Sequence, residues 1–193
     1  MLTPKQNMLE VIKGGNPDRF VNQYEAVQLL FHPFMFANPL LEPGQENVVN
    51  AWGVTNTFPK GVPGSFPVHT PDKIVVKDIE DWQDYVHAPS LKFTQDQWDM
   101  VKAQYDAVDG EQAFKAAFVA PGLFEQTHHL CEISNALVYY ITNPDEMHDL
   151  IKYLTEWELE LAEGICSNLH PDALSYHDDW GGLDSTFMSP AMF

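Results

Sequence analysis

One run in the sequence gathers the groups that general acid–base chemistry needs: His177-Asp178-Asp179-Trp180-Gly181-Gly182. Two adjacent carboxylates beside an imidazole can pass a proton, or hold a polar or cationic ligand by hydrogen bonds. The same residue types also make a solvated turn in which an Asp caps a loop or helix, and the sequence leaves the two readings level. Asn22 and Gln23, followed by Glu25, offer further hydrogen-bonding groups, for a ligand or for their own loop. Trp52-Gly53 offers an aromatic wall beside a point of close backbone approach, or simply a packed turn. His128-His129-Leu130-Cys131 tempts a metal reading. On a helix, however, His128 and Cys131 share a face while His129 and Cys131 do not, and one pair falls short of the three or four ligands that zinc takes. Cys166 and the other histidines show no ligand spacing, so no metal site is expected. No Gly-rich phosphate loop, G-x-S-x-G elbow or C-x-x-C pair occurs, which moves nucleotide binding and hydrolase chemistry out of the front rank.

The elements that must position these groups are legible in outline. Thr3, Pro4 and Gln6 make an N-cap, a first helical residue and a capping box, and Gly14-Gly15 ends the helix they start. Residues 20–24 read as a short strand, with Asn22, Gln23 and Glu25 at its end. Residues 26–36 are apolar and aromatic, broken by Pro33, and suit a helix or a buried loop. Residues 39–71 are rich in Pro and Gly, with strand character only at 48–54; long irregular stretches of this kind are usually functional or mobile. Asp78 caps a predicted short helix through Ile79, Trp82 and Val86. Thr94 with Gln97 opens another that ends near Asp109-Gly110. Residues 113–119 read as a buried strand, and a helix through Leu130, Ile133 and Leu137 follows. Asn143-Pro144 then starts a long helix whose apolar residues Met147, Leu150, Ile151, Leu154, Trp157 and Leu161 recur every three or four positions. Residues 172–176 read as a last strand, running directly into the His177–Gly182 segment. Strands alternating with helices of this length predict parallel βαβ units in an α/β fold. Polar residues just past such strands lie where this class keeps its sites. Ser189-Pro190 spells a further helix start close to Phe193, so the chain is expected to continue.

Composition narrows the partners. The 193 residues include 10 Lys+Arg against 28 Asp+Glu, a formal charge of -18. That balance excludes a phosphate-backbone binder or a polybasic membrane anchor. Arg19 is the only arginine, so a site clamping several carboxylates of one substrate cannot be assembled here. The two cysteines, Cys131 and Cys166, do not make a disulfide framework. Without a signal segment at the N-terminus or a long apolar run, a cytoplasmic protein that does not enter membranes is expected.

Four pieces of the sequence, in order, resemble the uroporphyrinogen decarboxylase superfamily, and within it the cobalamin-dependent methyltransferase branch. They are Thr3-Pro4 with Pro17-Asp18-Arg19-Phe20-Val21; Asn50-Ala51-Trp52-Gly53-Val54; Pro121-Gly122-Leu123-Phe124-Glu125 through Asn143-Pro144-Asp145; and Asp172-Ala173 through Asp178-Asp179-Trp180-Gly181 to Met188-Ser189-Pro190. The resemblance implies a (β/α)8 barrel, of which residues 1–193 are roughly the first half: a single incomplete domain with parallel strands and an N-terminal helix. A whole barrel of this kind needs about 250 residues.

In the decarboxylases the first-strand loop carries arginines for a polycarboxylate substrate, and an essential Asp follows the second strand. Here the corresponding positions read Asn22-Gln23-Tyr24-Glu25-Ala26 and Asn50. The methyltransferase branch is therefore expected: transfer of a methyl group between a corrinoid on a partner protein and a small thiol or folate. The decarboxylase and a catalytically inert half-barrel binding module are the alternatives. Asp178 and Asp179 are the expected catalytic or orienting groups, with Asn22, Gln23, Trp52, His177 and Trp180 as ligand contacts. Zinc, where the family uses it, is held by a His-x-Cys…Cys set in the barrel's second half, outside these residues. A corrinoid protein is the expected partner, with a second chain or second copy completing the barrel.

Overall fold

A computed structural model describes residues 1–38 and 40–192. Pro39 and Phe193, which bound two of the segments read above, lie outside the described residues. The chain divides into two compact units. The first comprises Met1–Pro33, Lys92–Val119 and Leu161–Tyr176; the second comprises Phe34–Leu91, Ala120–Glu160 and His177–Phe193.

In the first unit, helix α1 (Pro4–Lys13) has the predicted ends: a Thr3 capping box at its start and Gly14 at φ 68° after its last turn. The left-handed conformation at Gly14 is one that a Cβ would penalise. The strand expected at 20–24 forms later. Residues Gln23–Ala26 make a single helical turn, α2, and β1 is Val27–Leu30. Phe20 and Tyr24 are largely exposed, so this segment has no buried face to hold it as a strand. Helix α4 (Gln95–Asp106) starts at the Thr94–Gln97 capping box; α3 (Pro33–Ala37) lies mostly in the second unit. Strands β5 (Phe114–Val119) and β6 (Ala173–Tyr176) match the sequence reading; β2 (Val48–Val49), β3 (Thr55–Thr57) and β4 (Phe66–Pro67) lie in the second unit.

The three strands form a fully parallel sheet in the order β1-β5-β6, pairing Val27 with Phe114, Leu30 with Ala117, Ala116 with Ala173, and Val119 with Tyr176. The fold is thus mixed α/β with a parallel sheet. Its core holds Leu30, Val101, Tyr105, Ala117, Leu161 and Ile165, all buried. Burying one such Leu or Ile side chain is worth about 1.5–3 kcal/mol. Lys5 ties the strand starts together: its Nζ lies 2.9 Å from the Gly110 carbonyl, 3.2 Å from Asp172 Oδ2 and 4.7 Å from the Phe114 ring centroid.

The second unit begins with α3 (Pro33–Ala37), most of which belongs to it. It contains a small antiparallel sheet of β2 (Val48–Val49), β3 (Thr55–Thr57) and β4 (Phe66–Pro67). The strand expected across 48–54 is interrupted after two residues. Asn50 Oδ1 accepts the N–H groups of Trp52 and Val54 at 2.9 and 3.0 Å and folds the chain into a turn. The short helix predicted after Asp78 is a 3₁₀ turn, Trp82–Asp84.

The single helix expected through Leu130 and Leu137 is two, α5 (Leu123–Cys131) and α6 (Ile133–Thr142). The break falls at Glu132, at φ 72°, whose carboxylate accepts the Asn135 N–H at 3.1 Å. Helix α7 (Pro144–Leu169) supplies Met147, Leu150 and Leu154 to the core of the second unit, beside Trp52, Val76, Trp82 and Leu130. Residues 161–169 of the same helix belong to the first unit. The segment from Pro190 is a turn closed by Met192 N–H to the Ser189 carbonyl at 2.9 Å. Among the described residues no helix is long and apolar enough to cross a membrane.

Candidate functional site

The site is built where two chain segments meet in the second unit: the one following β5 and the one following β6. After Val119 the chain passes a cis Ala120-Pro121 bond and Gly122 and enters α5. After Tyr176 comes His177-Asp178-Asp179. Asp178 joins the two. Its Oδ2 accepts the Phe124 N–H at 3.0 Å and its Oδ1 the Glu125 N–H at 2.8 Å. A carboxylate there satisfies orphan donors of the first helical turn and faces the positive end of the helix dipole. Gly122 makes the approach possible, because a Cβ at that position would fall 2.4 Å from Asp178 Cβ. Both oxygens of Asp178 are therefore engaged with the backbone.

With Asp178 pinned, its two neighbours flank the Glu125 side chain. His177 Nε2 lies 3.8 Å from Glu125 Oε2 and 3.6 Å from Asp179 Oδ1. One ligand-type atom from each of Glu125, His177 and Asp179 lies within 4.8 Å of the others. One turn along α5, His129 Nε2 lies 3.7 Å from Glu125 Oε1.

Burial raises the Glu125 carboxyl to about 7, with Asp179 and Asp178 adding to the rise and His177 opposing it. Its Oε2 is sealed from solvent and has no hydrogen-bond donor among the described residues. Burial, reinforced by the neighbouring His128 and His69, lowers His129 to about 3. His129 is therefore neutral near pH 7, and its approach to Glu125 is not an ion pair. His128 is shifted down as well, first by burial and then by His69.

The cluster offers a carboxyl that titrates near neutrality, an imidazole beside it and a second, exposed carboxylate. Chemically it can accept or release a proton. Its one-nitrogen, two-oxygen set could also hold a divalent cation. Cys131 is no part of such a set: it is fully buried and its thiol is pushed up to about 12 by that burial. The residues His129-Leu130-Cys131 do not fit a zinc–thiolate centre.

Of the residues singled out from sequence, His177 and Asp179 come together with Glu125, and Asp178 anchors them. Trp180 follows, half-exposed; its carbonyl accepts the Phe187 N–H at 3.0 Å, and Phe187 stacks on Phe124 at 5.9 Å. Trp52 is a packed turn residue, edge-on to Trp157 at 5.0 Å, and it lines a cavity of about 180 Å3 in the same unit. Asn22 and Gln23 belong to the first unit. They do not follow a strand, as read from sequence, but precede β1, where the Asn22 N–H donates to Glu25 Oε1 at 3.0 Å. Glu125 is not among the residues singled out from sequence, and His129, weighed there only against Cys131, lies instead beside Glu125. Glu125 follows strand β5 much as His177 follows β6, and that placement was the available signal. Comparisons with family models, curated proteins and solved structures find no match to this chain.

Proposed function

We propose that the chain forms part of a (β/α)8 barrel of the uroporphyrinogen decarboxylase type, in the corrinoid-dependent methyltransferase branch. In this reading the Glu125–His177–Asp179 cluster takes the proton of a small methyl acceptor. The observation that carries the proposal is the convergence of segments following two successive parallel strands, β5 and β6, on one acid–base cluster. Barrels of this class assemble their sites from such segments. The strand order β1-β5-β6 supports the barrel, since each parallel neighbour in the sheet is also the next parallel strand of the chain.

The choice between branches rests on charge. Arg19, the only arginine, is paired with Glu25 at 2.6 Å. Carboxylates of a porphyrinogen would find no other guanidinium, in a protein of net charge -18. A methylated corrinoid, delivered as a substrate on a partner protein, supplies an electrophilic methyl group. A thiol acceptor must give up its proton as its sulfur takes that methyl group, while the electron pair of the broken carbon–cobalt bond stays with the corrinoid. Glu125, near 7, is matched to receive the proton at neutral pH, with His177 Nε2 beside it, 3.6 Å from Asp179 Oδ1.

The test uses the polypeptide at the length its gene encodes, with methylcobalamin as donor and 2-mercaptoethanol as acceptor, followed by the absorbance change on demethylation. Turnover is expected, and Glu125→Gln should lower it by about 10²-fold or more. Coproporphyrinogen formation from uroporphyrinogen would overturn the reading in favour of the decarboxylase. Turnover of neither substrate would leave a binding module.

A further inference from the structure

The cavity of about 180 Å3 in the second unit is walled by groups that specify its ligand more narrowly than its size does. An apolar cavity of about 150 Å3 accepts benzene, so this one has room for a single aromatic ring with a small substituent. One side is aromatic: Trp157 meets Trp52 edge-on at 5.0 Å and Phe34 at 4.9 Å.

The other side is rich in hydrogen-bond donors. Asn38 Oδ1 accepts the Ala51 N–H at 2.9 Å, and Asn50 Oδ1 accepts those of Trp52 and Val54. With their oxygens engaged, both amides have N–H groups left to offer. Gln126 also lines the cavity. It is 4% exposed, and its Nε2 has no acceptor among the described residues. A buried donor left unpaired is costly, so a ligand that brings it an acceptor is favoured by that amount.

Charge removes one class of acceptor. Among the described residues the lining contains no lysine or arginine, Glu158 contributes a carboxylate, and burial keeps His129 neutral. A ligand carboxylate or phosphate would be desolvated without a counter-charge.

We infer that this cavity binds a small, uncharged aromatic molecule bearing an oxygen acceptor, such as an amide, ketone or phenol, with its ring among Trp52, Trp157 and Phe34 and its oxygen at the Gln126 amide. The inference stands apart from methyl transfer: it concerns binding alone and is read without any turnover, so either can fail without the other.

The probes are benzamide and its anionic counterpart of the same shape, benzoate, titrated into the intact chain and followed by tryptophan fluorescence. Benzamide is expected to saturate with a Kd of about 1 mM or lower. Benzoate should bind at least tenfold more weakly. Gln126→Leu should weaken benzamide at least fivefold. Ser65→Trp, at an exposed position on the lining, should fill the cavity and abolish binding without touching the core. Circular dichroism checks that both variants keep the fold. Failure of benzamide to saturate by about 20 mM, equal binding of benzoate, or undiminished binding by Ser65→Trp would each overturn the inference.

Discussion

The two units spend their polar residues in opposite ways. In the first, polar side chains close off structural ends. Thr3 and Thr94 cap helices, and Lys5 and Asp172 tie the starts of strands β5 and β6. In the second, acidic and imidazole groups gather in one place, with His129 and His177 both beside Glu125 and Asp179 beside His177. A parallel sheet needs its strands shielded on both faces, which leaves little room among them for charge. The segments leaving those strands carry no such constraint, and the chemistry is found there. The difference separates positions where substitution should unfold the protein from positions where it should change titration or binding.

The sharpest way to break that comparison uses one helix. Ile165 and Leu150 both lie on α7 and are both fully buried, but Ile165 belongs to the first unit and Leu150 to the second. Truncating either to Ala should cost about 2–5 kcal/mol from lost burial and the cavity left behind. Native-state hydrogen exchange distinguishes the units. Ile165→Ala should speed exchange in β1, β5 and β6 first, and Leu150→Ala in α5 and α6 first. Equal acceleration everywhere in both variants would mean that the division into units has no energetic counterpart.

Acidification should separate the units next. His32 is buried in the first unit, and desolvation lowers it to about 4 from an ordinary 6.5. The unfolded chain binds this proton more readily between those values. The corresponding stability is complete above about 6.5 and lost as pH falls to about 4, a change of about 3 kcal/mol. Glu125 has the opposite sign. Raised to about 7, it contributes stability below its unfolded value of 4.5 that is lost as pH rises through 7. His129 and His128, in the same unit, behave as His32 does and oppose Glu125. Lowering the pH from 6.5 to 4.5 should therefore loosen the first unit more than the second. His32→Phe should flatten the first unit's dependence. Glu125→Gln should steepen the second's loss on acidification, because His129 and His128 then act unopposed. Parallel loss in both units, unchanged by either substitution, would sink the assignment.

Local signals were the legible ones. A helix cap is a contact between residues three apart, so Thr3–Gln6 and Thr94–Gln97 could be read directly, and the strands at 114–119 and 173–176 are mostly apolar, broken only by Lys115 and Ser175. The break at Glu132 carries neither Gly nor Pro, so periodicity ran straight through it. The strand expected at 20–24 forms instead at Val27–Leu30, because the Asn22–Glu25 capping box turns Gln23–Ala26 into a helical turn. At the site, the His177–Asp179 run was visible because its members adjoin. Its partner Glu125 was not, because their proximity exists only once two strands have aligned the segments that follow them. Which of Asp178 and Asp179 stays available was also undecidable from sequence; the N-terminus of α5 decides it by taking Asp178.

That anchoring sets the next prediction. Asp178→Ala should cost about 1–2 kcal/mol, confined to the second unit, through loss of two charge-assisted bonds at a helix start. Gly122→Ala should do the same indirectly, since its methyl group takes the space of Asp178 Cβ. In both variants the Glu125 carboxyl should move back toward the ordinary carboxylate range as its surroundings open to water, measurable by NMR titration. An unchanged Glu125 titration in Asp178→Ala would show that the burial of Glu125 does not depend on this anchor.

The smallest expected effect tests the other half of the comparison. Thr94 Oγ1 accepts the Gln97 N–H at 3.4 Å while Gln97 Oε1 accepts the Thr94 N–H at 2.8 Å. The longer bond is the weaker of the two, so removing the hydroxyl should cost at the low end of the range for caps, about 0.5–1 kcal/mol. If polar groups in the first unit serve its architecture alone, Thr94→Ala should lower thermal stability by a few degrees at most and leave both the Glu125 titration and benzamide binding as they were. A shift in either at the second unit would mean that the ends of α4 and the acid–base cluster are energetically coupled, and that the separation of roles between the units is incomplete.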